Sequence, residues 1–332
     1  MPLVIESFDS RVLRGNPLRD PHVRRIPVWL PPSYGRGARR FPVIYFLTGY
    51  TGSSLSHLNW NAWSESLPER LERLTRERRM REAIVVLPDC FTRYGGSQYL
   101  NSSATGRYED HLVRELVPWV DARYETIARP GARAIAGKSS GGYGAIVQAM
   151  RHPDVFGLVA CHSGDMHFTL CYLPAFPKAL NVLQKHGGDV RRFIRAWERM
   201  PRRNDGSVMP AVEIVAMASC YSPNPRSPVG FDMPFDTRTG EMRADVWRRW
   251  LALDPVDMAR AHARALRRLR FIYLDCGTRD EFALHYGARI LSSRLNAMRV
   301  RHVHEEFDDG HMNIQYRYDR SLSLLSRAFE RA

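Results

Sequence analysis

Short apolar runs alternate along this chain with stretches whose apolar positions recur at helical spacing. Val43-Ile44-Tyr45-Phe46-Leu47, Ile84-Val85-Val86-Leu87, Ala132 to Ala136, Leu158 to His162 and Phe271 to Leu274 are each bounded by turn residues. Runs of this kind suit strands covered on both faces of a parallel sheet. Between them, Leu67, Leu71 and Leu74 share one helical face, as do Leu112, Leu116 and Val120 within residues 108–124, and residues 140–150 and 282–298 also read as helices. Val303 to Phe307 reads as a last strand before a closing helix. The alternation predicts an α/β fold, a mostly parallel central sheet with helices on both faces. Leu3 to Ile5, Val12-Leu13 and Ile26 to Leu30, separated by Gly15-Asn16-Pro17 and Asp20-Pro21, read as antiparallel strands at one sheet edge.

The alternation lapses between residues 165 and 258. Val190, Phe193, Ile194 and Trp197 keep helical spacing there, so the segment is ordered, and the Gly187-Gly188 pair and the turn-like Asp236 to Gly240 suggest helices and a hairpin over the sheet. The expected organisation is a core of residues 1–164 and 259–332 with a cap or lid at 165–258 that excludes water and shapes a pocket. A stabilising insertion or a dimer contact fits the same pattern.

One stretch carries chemistry on its face. The apolar run to Ala136 leads into Gly137-Lys138-Ser139-Ser140-Gly141, and helix formers follow: strand, sharp turn, helix. A serine at such a turn is held above the sheet edge in a strained conformation, which makes Ser139 the candidate nucleophile. The backbone N–H of Ser140, at the start of the helix, is a candidate oxyanion donor. A small-residue loop after an early central strand commonly supplies the second donor, and Thr48-Gly49-Tyr50-Thr51-Gly52 points to the N–H of Tyr50. Gly-Lys-Ser also ends a phosphate-loop signature, but the glycine that signature requires falls on Ala132 and the spacer reads as a strand.

A serine hydroxyl needs an imidazole to take its proton, and the imidazole needs a carboxylate to fix its tautomer. In the order serine, acid, histidine, the acid belongs after a late strand and the histidine after the last. Asp280 and His311 fall there, with Glu281, Asp275 and Asp165 as rivals for the acid. A histidine base implies activity that falls as pH drops through about 6.5. Aromatic residues near the expected mouth, Trp60, Trp63, Tyr94, Phe168 and Tyr172, are candidates for substrate binding, although such residues commonly serve packing.

Composition narrows the picture further. At 332 residues, 44% hydrophobic and 25% charged, the chain can bury a sizeable core and is not of a disordered class. A net charge of +14 raises nucleic acid as a partner, but the 49 basic residues include only three lysines and the arginines are spread along the chain, as on a solvated surface. Five cysteines without Cys-x-x-Cys spacing argue against a disulfide framework and a zinc site. With no signal-peptide pattern at the start and no apolar stretch near the roughly 20 residues that span a bilayer, a cytoplasmic protein without membrane or nucleic-acid partners is expected. No residue pattern calls for a metal or a cofactor, a small-molecule substrate is the expected partner, and a homodimer stays open.

Leu47-Thr48-Gly49-Tyr50, Gly137 to Ala145, Gly277-Thr278-Arg279-Asp280-Glu281-Phe282 and Asp309-Gly310-His311 together resemble the blocks of the putative-esterase group of α/β-hydrolases, which includes esterase D (S-formylglutathione hydrolase), feruloyl and enterochelin esterases and mycolyltransferases. Pro27 to Tyr34 is similar to that group's N-terminal strand and turn. The resemblance implies an α/β-hydrolase fold, Ser139, Asp280 and His311 as triad, and the amides of Tyr50 and Ser140 as oxyanion hole. It implies a serine carboxylesterase, with an acyltransferase using the same acyl-enzyme, or a non-catalytic binding protein on the fold, as alternatives. Thr48 departs from the His or Ser that many members carry before the oxyanion glycine. The segment 165–258 is longer than in esterase D, so the substrate does not carry over.

Overall fold

A computed structural model describes residues 3–330. Its main sheet has eight strands, in the order β1 (Leu3–Asp9), β2 (Val23–Trp29), β4 (Ile84–Val86), β3 (Val43–Leu47), β7 (Arg133–Lys138), β8 (Leu158–His162), β9 (Phe271–Gly277) and β10 (Val303–Phe307). β1 and β2 pair antiparallel, β2 meets β4 antiparallel, and every pairing from β4 to β10 is parallel. A short ribbon of β5 (Asn101–Ser102) and β6 (Gly106–Arg107) stands apart.

The sheet sits between two layers because successive side chains of a strand point to opposite faces. On β3, Val43, Tyr45 and Leu47 enter one core together with the helices Val117–Arg123 and Ser140–Arg151. Ile44 and Phe46 enter a second core with the helices Leu67–Arg76 and Tyr318–Ala328. All five residues of β3 are buried, which accounts for the unbroken apolar run. The helices Phe176–Gln184, Val190–Glu198, Met209–Tyr221 and Ala244–Leu251 of segment 165–258 bury Phe176, Phe193, Tyr221 and Trp250 in the first of these cores. An isolated bridge between Phe235 and Met242 closes the turn Asp236 to Gly240, and another joins Pro223 to Phe231. Among the described residues no helix is long and apolar enough to cross a membrane.

Two local expectations differ from the structure. Val12-Leu13 is a turn rather than a strand: Asn16 donates through its backbone and its Nδ2 to the carbonyl of Leu13, at 3.2 and 2.9 Å, and Gly15 adopts φ +67°. Local side-chain bonding thus takes the backbone groups a ladder would have used. The helix from Tyr108 ends at Arg123 and widens into a π turn over His111–Leu116. Pro118 lacks an N–H, and its ring would clash with the carbonyl of Arg114 in regular α geometry, so the wider turn relieves the conflict.

Candidate active site

The elbow between β7 and the helix Ser140–Arg151 is built by close approach. A Cβ on Gly137 would lie 2.5 Å from the carbonyl oxygen of Gly141, and one on Gly141 would lie 2.5 Å from the carbonyl oxygen of Leu47. Only glycine lets the turn pack against β3 this tightly. Ser139 between them adopts φ 58° and ψ −129°, a left-handed region that side chains rarely occupy, and its N–H bonds the carbonyl of His162 at 2.9 Å. The hydroxyl is thereby presented to a cavity of about 1210 Å³ beyond the carboxyl ends of the parallel strands.

His311 and Asp280 arrive from the loops after β10 and β9. Nδ1 of His311 meets Oδ2 of Asp280 at 2.8 Å, and the backbone N–H of His311 donates to Glu281 Oε2 at 2.6 Å. Gly277 brings the two loops together, since a Cβ there would lie 2.3 Å from the carbonyl oxygen of Asp309. Burial alone would raise the Asp280 carboxyl, but the bond to His311 and the amides of Phe282 and Leu284 outweigh it and hold Asp280 below its ordinary value. The Phe282 ring stands edge-on to the imidazole at 4.8 Å. Ser139 and His311 line the same cavity. The Ser139 hydroxyl, however, donates to Asp165 Oδ1 at 3.4 Å rather than to His311.

The two amides expected to bind an oxyanion are unengaged. Neither the N–H of Tyr50 nor that of Ser140 donates to any described residue, and Ser140, first in its helix, has no acceptor within it. Tyr99 braces the Tyr50 loop: its hydroxyl donates to the carbonyl of Thr48 at 2.6 Å and lies 3.2 Å from Thr48 Oγ1, which also bonds Gly52. Thr48 therefore serves the loop's own conformation.

Of the aromatic candidates only Tyr172 lines the cavity. Trp60 and Trp63 are exposed, at 77% and 103%, and border a separate shallow groove with Glu69 and Arg73. Tyr94 is buried against Trp197 and Phe231, and Phe168 is buried among Tyr143, Tyr172 and Tyr221. Trp60 and Trp63 thus face solvent, and Tyr94 and Phe168 pack in the core.

Asp165, weighed in the sequence only as a rival acid, lies beside Ser139 instead of behind His311. It accepts from Ser140 Oγ and Tyr172 Oη at 2.8 Å and from Gln98 Nε2 at 3.2 Å. Burial raises its carboxyl, and these donors oppose the rise. Glu213, which also faces the cavity, went unnoticed. Its signal was legible as the one charged residue in the helix Met209–Tyr221.

Residues 21–317 match the family model described as "Putative esterase". A search of curated proteins finds similarity to the uncharacterized protein YbbA of Bacillus subtilis, 26% identical over 149 residues, covering 43% of this chain and 57% of that protein. It also finds the esterase Rv1288 of Mycobacterium tuberculosis, 30% identical over 145 residues, covering 42% of this chain and 28% of that one. The chain thus spans about half or less of the length of these curated relatives. Among solved structures, a ferulic acid esterase superposes with a TM-score of 0.61 at 19% identity, over 99% of this chain and 98% of that one. At this identity the likeness concerns the fold.

Proposed function

This chain belongs to the esterase family, and on that premise we propose that it is a serine carboxylesterase working through an acyl-enzyme on Ser139. The observation that carries the proposal is the pairing of His311 with Asp280 at 2.8 Å on the wall of the cavity that the strained Ser139 also lines.

In the reaction, Ser139 turns about χ1 from Asp165 toward Nε2 of His311 as the ester enters. Catalytic hydrogen bonds are often loose in the free enzyme and tighten only in the complex. His311 takes the hydroxyl proton, the serine oxygen attacks the ester carbonyl, and the resulting oxyanion meets the free N–H groups of Tyr50 and Ser140. Asp280 holds the imidazole with its proton on Nδ1 and stabilises the imidazolium. His311 then gives its proton to the departing alcohol, and water repeats the sequence on the acyl-enzyme. Segment 165–258 contributes Leu170, Tyr172, Met209 and Glu213 to the cavity wall, which supports its reading as a cap over a small-molecule ester.

Replacing the nucleophile should cost about 10³-fold or more in kcat/KM. Ser139→Ala is expected to abolish p-nitrophenyl acetate hydrolysis and labelling by a fluorophosphonate while the thermal transition is kept. Turnover retained by a folded Ser139→Ala protein refutes the assignment.

A further inference from the structure

The carboxyl of Glu213 opens on the cavity that Ser139 lines. The other acids there are engaged: Asp165 by Ser140, Tyr172 and Gln98, Glu65 by Arg73, and Glu281 by the amide of His311. Glu213 alone among them has no hydrogen bond or ion pair to any described residue. Leu170, Cys171, Met209 and Pro210 line the cavity with it, and of the cations there, Arg70 pairs with Asp319 while Lys138 and Lys178 make no ion pair with Glu213 among the described residues. Burial, with Asp165 nearby, pushes the Glu213 carboxyl up to about 7. A largely buried carboxyl left without a donor is costly, and a ligand that supplies the donor recovers that cost. An alkyl group does not, and a second carboxylate adds repulsion.

The position of Glu213 also says which part of an ester would meet it. Its charge acts on Asp165 and Tyr50, and Asp165 in turn reaches the Ser139 hydroxyl at 3.4 Å. The alcohol must collect its proton at His311, beside Phe282. An acyl chain on Ser139 that extends away from His311 and Phe282 would run past Asp165 toward Glu213, which lines the same cavity.

We propose that Glu213 is the specificity-determining residue of this cavity and accepts a hydrogen bond from a hydroxyl or ammonium group carried on the acyl chain of the ester. The proposal rests on the esterase reading of Ser139. A site built to bond a polar substituent discriminates strongly against analogues that lack it.

The test compares kcat/KM for p-nitrophenyl esters of plain, ω-hydroxy, ω-amino and ω-carboxy acids, over chain lengths from butanoate to octanoate, with acetate as control. Wild type is expected to prefer the donor-bearing chain over the plain one by about 10-fold at its best length, with the ω-carboxy ester slowest. Glu213→Leu should erase that preference, raising the plain esters and lowering the donor-bearing ones. Glu213→Gln, which keeps an acceptor, should retain the hydroxyl preference and lose any extra gain for ammonium. A larger wild-type gain for ammonium identifies charge recognition, and a larger gain for hydroxyl identifies neutral recognition; both support the assignment. Acetate reports the chemical step in each protein, and every rate on a longer chain is taken relative to the same protein's acetate rate. Equal rates for plain and donor-bearing chains in wild type, or a preference that survives Glu213→Leu, overturn the proposal while acetate turnover persists. Absence of wild-type acetate turnover overturns the esterase reading instead.

Discussion

Two aspartate–histidine pairs lie close together in this protein, each near a serine, and they have opposite surroundings. His162 on β8 and Asp275 on β9 are direct register partners in the sheet. Nδ1 of His162 meets Asp275 Oδ1 at 2.7 Å, and Nε2 meets Ser321 Oγ at 2.8 Å, with both His162 and Asp275 side chains fully buried. Asp275 also accepts from Tyr273 Oη at 2.9 Å and Arg317 Nε at 3.0 Å, and the rings of Tyr273 and Tyr318 flank the imidazole. His311 and Asp280 sit in loops beyond the strands. They share one bond of 2.8 Å and leave Nε2 without a partner among the described residues, on the wall of a cavity. The same three residue types thus make a closed internal tie in one place and an open site in the other. What distinguishes them is an unsatisfied ring nitrogen and a serine held out on a strained turn.

Replacing the two acids in turn should separate these roles, and it carries the largest expected effects. Asp280→Asn should cost less stability than Asp275→Asn and lower kcat by about 10³-fold or more, because the imidazole loses the carboxylate that sets its tautomer. Asp275→Asn should do the reverse. Breaking a buried charged network that includes Arg317 costs about 3–5 kcal/mol in urea unfolding, with a much smaller change in kcat for the protein that remains folded. If Asp275→Asn lost activity without losing stability, the buried trio would have to be counted in the chemistry.

A third expectation concerns pH and the cavity. Glu213 titrates near its ordinary value of about 4.3 when unfolded and at about 7 in the folded protein. The folded state therefore binds this proton more tightly, so its contribution favours folding below about pH 4.5 and is lost as pH rises through about 7. Glu213→Gln removes the titration and should match wild type in stability near pH 4. At pH 8 it should exceed wild type by on the order of 2 kcal/mol in urea unfolding. An advantage that did not grow with pH would mean that Glu213 is solvated.

The smallest effect should come from Ser321→Ala. It removes the buried partner of His162 Nε2 and should cost about 1–2 kcal/mol of stability, while p-nitrophenyl acetate turnover by the folded protein changes by less than about 3-fold. A loss comparable to that of Ser139→Ala would erase the distinction between the two trios.

Much of the site was legible because its parts are local in the chain. The Gly137 to Gly141 turn announces a strand-to-helix elbow through its small residues alone, and Asp280 and His311 follow strands that their apolar pattern reveals. The pocket lining was less legible. Trp60 and Trp63 attract attention by size, yet whether a ring faces a cavity or solvent depends on loop paths that no periodicity records. The π turn before Pro118 was within reach of the sequence, since the proline's missing donor and bulky ring forbid regular geometry. The bracing of Thr48 by Tyr99 joins residues far apart in sequence, and no spacing rule connects them.

The pattern of apolar residues by itself determined the alternation of strands and helices and placed the parallel strands of the sheet, because burial on both faces demands unbroken apolar runs. The small residues around Ser139 determined the elbow, because any side chain there collides with neighbouring backbone. Only the tertiary structure decided which histidine faces a cavity and which is sealed, that Asp165 reaches the Ser139 hydroxyl, and that Glu213 has no hydrogen-bond or ion-pair partner among the described residues. Those outcomes depend on distances between segments far apart in the chain, fixed when the helices of residues 165–258 pack over the sheet.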